Sequence, residues 1–201
     1  MEFTHTATGL LMHQQKYVGE LLERFKMTLC NDVRSPLEVN VKLREYEAEE
    51  KVNEIAYKQI VGSLRFLSNS RPYLMFSIGL ISRFMSNPKK IHMLVVKRIL
   101  RYIKGTANHG SMFPYGMQKN ELKLMSYADS DYDGDQVERK STSGHIFFQN
   151  EAPISWCSKK QFVVALSSSE AEYIVGCFAA CQGIWLNELL KELKILRESP
   201  V

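Results

Sequence analysis

No Cys-x-x-Cys spacing occurs among the four cysteines, Cys30, Cys157, Cys177 and Cys181. The sequence therefore encodes neither a paired-thiol zinc knuckle nor a thioredoxin-like redox motif. A reduced compartment suits these thiols, and Cys177 and Cys181, one helical turn apart, read as packing residues. No uninterrupted apolar run reaches the roughly 18 residues of a membrane span. The start, MEFTHTATGLLMHQQ, lacks the basic head and apolar centre of a secretory signal. These absences predict an intracellular protein, cytoplasmic or nuclear, neither secreted nor held in a membrane, and no motif calls for a small-molecule cofactor.

What the 201 residues do contain is an uneven charge. Residues 1–120 carry 18 Lys and Arg against 10 Asp and Glu, a balance of +8, while residues 121–201 carry 8 against 12, a balance of −4. A basic first part suits a polyanion and an acidic second part suits cations, although two unequal solvated surfaces would look the same.

The acidic part contains DSDYDGDQVERK, residues 129–140. Asp129, Asp131, Asp133 and Gly134 match the first half of a calcium-binding loop. The twelfth position, which must be a bidentate glutamate, is Lys140, and the residues before the loop alternate like a strand. Calcium is excluded on both grounds.

Periodicity predicts an α+β protein. EFTH and GLLMHQ form a short β-hairpin around TATG, with Gly9 available for a positive φ. A helix follows with Tyr17, Val18, Leu21, Leu22 and Phe25 on one stripe, then an irregular surface connection over residues 30–53. Three more helices begin near Ala56, Pro72 and Pro88. The last of these buries Ile91, Leu94, Val95, Ile99 and Ile103, and ends at Gly105. Its other face carries Lys90, Lys97, Arg101 and Lys104, a stripe able to neutralise phosphates or simply to meet water. Residues 106–120 read as a linker. Beyond it, LKLMSYAD, SGHIFFQ and PISWCS read as strands. The stretch from Ser167 to Leu193 reads as one long helix or two stacked ones, capped by Ser167 to Ser169 and able to bend at Gly183. Its apolar stripe would be Ile174, Val175, Phe178, Trp185, Leu186, Leu189 and Leu193.

The order β-β-β-α resembles the opening half of the ribonuclease H fold. YADSDYDGD…RKSTSGHIFF, ISWCSKKQ…VALSSSEAEY and WLNELLKEL resemble the ribonuclease H region of copia-type LTR-retrotransposon Pol polyproteins. QQKYVGELLERFKM, YKQIVGSLRFLSNSRP, GLISRFMSNP and VKRILRYIKGT resemble the segment after the palm of that family's reverse transcriptase.

The resemblance implies three regions: a mostly helical post-palm segment over residues 1–105, the linker over 106–120, and an incomplete ribonuclease H-like β-β-β-α unit over 121–201. It implies hydrolysis of the RNA strand of an RNA–DNA hybrid by carboxylates holding two Mg²⁺ ions, with Mn²⁺ as a substitute. Asp129 would be the strand ligand and Glu170 the helix ligand. Glu172 would fall on another helix face, and Asp131, Asp133 and Asp135 would face solvent. The partners expected are RNA–DNA hybrid or DNA, and the remaining Pol segments.

The family's polymerase Y-x-D-D motif would lie before Met1, and its later ribonuclease H carboxylates beyond Val201. A truncated reading frame, inactive alone and a doubtful binder of the ions, is therefore expected. The alternative is a catalytically dead remnant that only binds nucleic acid or a partner.

Overall fold

The computed structural model describes residues 1–39, 41, 43, 50–116 and 123–193. Much of the expected acidic connection, the end of the expected linker and the C-terminal stretch lie outside the described residues. The protein is α+β, with two small three-stranded antiparallel sheets and five α-helices. It divides into two compact units, Met1–Phe3 with Met12–Gly110, and Thr4–Leu11 with Ser111–Val201.

Strands β1 (Glu2–His5) and β2 (Gly9–His13) form the expected hairpin, but they are joined by β3 (Gly110–Pro114) in the order β1-β2-β3. The residues read as the start of a linker are therefore partly a strand. Gly9 does not take a positive φ. It is needed because a Cβ there would collide with the backbone at Phe113 of β3.

In the first unit, helices α1 (Gln15–Arg24), α2 (Glu54–Leu67), α3 (Met75–Ser82) and α4 (Lys90–Gly105) surround one core. Asn53 caps α2 by accepting the Ala56 N–H at 2.9 Å. Pro72 opens a single 3-10 turn ahead of α3. Val18, Tyr57, Val61, Leu64, Val96 and Ile99 are fully buried. The Tyr57 hydroxyl donates to the Ile81 carbonyl at 2.8 Å, and burial raises its pKa. Leu94, expected in this core, is instead 60% exposed, because α4 turns Val95 and Val96 inward and leaves their neighbour outside. Arg71 is fully buried, and its guanidinium donates to the Ala107 carbonyl at 2.8 Å.

In the second unit, β4 (Leu124–Asp131), β5 (Thr142–Gln149) and β6 (Ala152–Lys160) form an antiparallel sheet in that order. Asn150, with φ +56°, turns the chain between β5 and β6. Helix α5 (Ser168–Glu192) runs unbroken through Gly183. Its buried stripe is Ala171, Val175, Ala179, Gly183, Leu186 and Leu190. Val175 and Leu186 are buried as expected, whereas Phe178, Trp185, Leu189 and Leu193 are exposed. In register with the core residue Phe147, Leu124, Ser126 and Ala128 share one face of β4; Leu124 packs against the core beside Phe147, Ala179 and Leu186, while Ser126 and Ala128 stay exposed. By length and composition α5 could cross a membrane, a feature missed by searching only for an uninterrupted apolar run. Here it lies on the sheet and carries Glu170, Glu172 and Glu188.

Candidate functional site

Asp129 lies near the C-terminal end of β4, exposed and opposite Gly144 of β5. Glu170, its expected partner, has different work. Ser167 caps α5 by accepting the Glu170 N–H at 3.1 Å, and the Glu170 carboxylate reaches back to accept the Leu166 N–H at 2.6 Å. This reciprocal arrangement is a variant of the capping box, and a carboxylate there also suits the helix dipole.

The carboxylate that meets the strand is Glu172. Its Oε1 accepts the N–H of Ser130, the residue after Asp129, at 3.1 Å. Two residues on a helix differ by about 200° in direction, so Glu170 and Glu172 flank Ala171, which faces the sheet. The sequence shows both glutamates but not which flank lies over β4, because that depends on the rotation of the helix. Gln161 holds that rotation. Its Nε2 donates to the Ala171 carbonyl and to Ser143 Oγ, both at 3.0 Å, tying the first turn of α5 to β5. The site reading had passed over Gln161. A polar side chain directly after a strand and before an irregular stretch was the only sequence signal for it.

The aspartates beyond β4 do not simply face solvent, as expected. Asp135 is only 5% exposed and pairs with Lys160 at 3.0 Å. Asp133, with φ +55°, pairs with Arg139 at 2.5 Å. Glu138 bonds both Lys140 and Lys160, and these hydrogen bonds, Lys140's first, bring its pKa down to about 2. Burial pulls the Lys160 pKa down, but the hydrogen bonds it donates to Glu138 and Asp135 outweigh it, and the net shift is upward. A Cβ at Gly134 would meet the Asp131 carboxylate, which would have to swing aside. The turn that follows β4 thus has Asp133, Asp135 and Glu138 paired with Arg139, Lys160 and Lys140.

The α4 stripe is likewise partly engaged. Lys90 pairs with Glu50 at 3.0 Å, Arg101 Nε donates to the Asn31 carbonyl at 2.7 Å, and Lys104 donates to the Cys30 carbonyl at 2.5 Å. Lys97 is exposed. The stripe's first task is therefore to tether the segment after α1.

Three proteins resemble this chain along nearly its whole length. The retrovirus-related Pol polyproteins from transposons RE1 and RE2 of Arabidopsis thaliana are 38% and 36% identical over 200 residues, covering 100% of this chain and 13% and 14% of their own. The Pol polyprotein from transposon TNT 1-94 of Nicotiana tabacum is 40% identical over 195 residues, 94% of this chain and 14% of its own. The chain belongs to the copia-type transposon Pol polyproteins.

This Pol segment spans about a seventh of the length of the curated relatives it matches. No family model and no solved structure matches it. Among the described residues, no group of three His, Cys, Asp or Glu side chains is placed to hold a metal ion. Asp129 and Glu172 are oxygen donors of the type magnesium prefers, but one Glu172 oxygen is committed to the Ser130 N–H. Two carboxylates do not complete a two-ion centre, so the described donors do not fit the pair of ions.

A cleft of about 300 Å³ opens between α5 and the β5–β6 side of the sheet, lined by His145, Cys157, Lys159, Phe162, Phe178 and Cys181. Burial lowers the His145 pKa and raises that of Cys157, so both are neutral at neutral pH. The charge in its lining comes from Lys160 and from Lys159, whose ammonium lies over the Phe162 ring.

Proposed function

We propose that this chain is a Pol segment whose second unit derives from a ribonuclease H acting inside the cell on RNA–DNA hybrids. Asp129 and Glu172, in place of Glu170, are two of its acidic ligands. On this reading the chain alone does not cut its substrate, because the described donors fall short of a two-ion site. What remains is hybrid or DNA binding through Lys97 and the charge around it, in the company of other Pol segments.

The observation that carries the reading is the 3.1 Å bond from the Ser130 N–H to Glu172. It brings the helix carboxylate to the peptide that follows Asp129, whereas Glu170 is spent on the helix cap. Membership of the Pol family supports the substrate class.

The test is a labelled RNA–DNA hybrid incubated with the chain and Mg²⁺, alongside a direct binding measurement. Salt-sensitive binding without cleavage is expected. Cleavage abolished by Asp129→Asn and Glu172→Gln would refute inactivity while supporting the two ligands. Cleavage lost with Glu170→Gln but retained with Glu172→Gln would refute the choice of glutamate.

A further inference from the structure

We propose that the cleft between α5 and the β5–β6 side of the sheet binds a purine nucleotide. Its lining comes from β5, β6, the two residues after β6 and α5, all within the second unit. Strand β4 contributes none of it, and neither Asp129 nor Glu172 belongs to it. The site therefore stands or falls independently of the hydrolytic reading.

Size and surface set the first requirement. A cavity of about 150 Å³ holds a single benzene ring, so a cleft of about 300 Å³ has room for two fused rings. Its walls are apolar. Phe162, directly after β6, is 69% exposed, and Phe178 on α5 is 45% exposed; the thiols of Cys157 and Cys181 complete the surface between strand and helix. Two aromatic rings left in water beside such a cleft suit a planar ligand that stacks on them.

Charge sets the second. Lys160 is committed to Asp135 and Glu138, whereas the Lys159 ammonium rests 4.5 Å from the centre of the Phe162 ring. A cation held only by a ring face gains by meeting an anion, and no carboxylate stands in the lining to repel one. Gln161, also in the lining, sets the third. It is 3% exposed, and its Nε2 donates to Ser143 Oγ and to the Ala171 carbonyl. Its Oε1, shielded from solvent, accepts no hydrogen bond among the described residues. Buried acceptors are ordinarily satisfied, so this one calls for an N–H from the occupant. A purine nucleotide joins fused rings, an N–H donor and an anion in one molecule. A fatty acid lacks the rings and the donor, and a pyrimidine nucleotide has a single ring.

Iodoacetamide labelling of the full chain, mapped peptide by peptide, tests this. Adenosine monophosphate should slow alkylation of Cys157 and Cys181 about tenfold at saturation. Cys177 and Cys30, outside the lining, should react as before. Adenosine and uridine monophosphate should bind about tenfold more weakly. Lys159→Gln should weaken protection by about the same factor, as should Phe178→Ala, and both exposed positions should leave the circular dichroism spectrum unchanged. Protection by the mononucleotide identifies a free nucleotide as the ligand. Protection by a purine oligodeoxynucleotide alone identifies a nucleotide held in a strand. No protection by either, equal slowing at Cys177, equal protection by uridine monophosphate, or full protection in either variant would overturn the proposal.

Discussion

The ammonium of Lys160, at the last residue of β6, lies 3.0 Å from Oδ2 of Asp135 in the loop after β4. The aspartate is nearly buried and the lysine side chain is 26% exposed, so the pair works partly out of water. Lys160→Ala would leave that carboxylate buried without its cation. A loss of about 2–4 kcal/mol is expected in urea unfolding, scaled down from a fully buried pair because water reaches the lysine. Lys140→Ala, at the exposed side of the network, should cost less than about 1 kcal/mol.

The same network sets an acid limit. The Glu138 pKa is depressed to about 2 from an ordinary value of 4.5, so the folded state binds its proton less readily than the unfolded one. Its contribution is complete above about pH 4.5 and is lost as the pH falls toward 2. The raised Lys160 pKa acts in the opposite sense, contributing until the pH rises through its folded value above 10.5. Hydrogen-exchange protection of residues 132–141, taken relative to the unstructured chain at the same pH, should therefore fall below pH 4.5 in the wild type, with a flatter profile in Glu138→Gln.

The two glutamates of α5 should separate in a stability assay. Ser167→Ala removes a cap and should cost about 1 kcal/mol, with Glu170→Gln smaller in the same direction. Glu172→Gln keeps an oxygen that can accept the Ser130 N–H and should leave the melting temperature nearly unchanged. Gln161→Leu removes the ties to the Ala171 carbonyl and to Ser143 Oγ and should cost about 1 kcal/mol.

On α4, nucleic-acid binding and folding should be separable. Lys97→Glu should weaken hybrid binding and reduce its salt dependence without affecting the melt. Arg101→Ala should destabilise the first unit, because the Asn31 carbonyl loses its donor. Equal loss of binding and no loss of stability in both variants would count against this division.

Much of this fold is legible in the residues. Alternation marks β4, β5 and β6, Pro72 marks the turn that leads into α3, and Ser167 caps α5 as its position predicts. The misses share one cause. Gly110–Pro114 carries ordinary turn signals yet becomes a strand because β2 supplies a neighbour. The buried stripe of α5 takes in Ala171, Ala179 and Gly183 beside Val175 and Leu186, because the rotation of the helix on the sheet decides its inward face. Glu172, not Glu170, reaches the strand because Gln161 fixes the rotation of the helix. Each depends on what lies across a contact, and periodicity along one segment does not encode that.

The outward turn of the α5 aromatics also decides what light can report. The chain's two tryptophans are Trp156 on β6 and Trp185 on α5, both in the second unit. Tryptophan emission will follow that unit alone, while the four-helix unit, with Tyr17, Tyr57, Tyr73 and Tyr102, melts unseen by tryptophan. Trp185, 57% exposed, should shift to the blue when any surface comes to rest on the helix beside it.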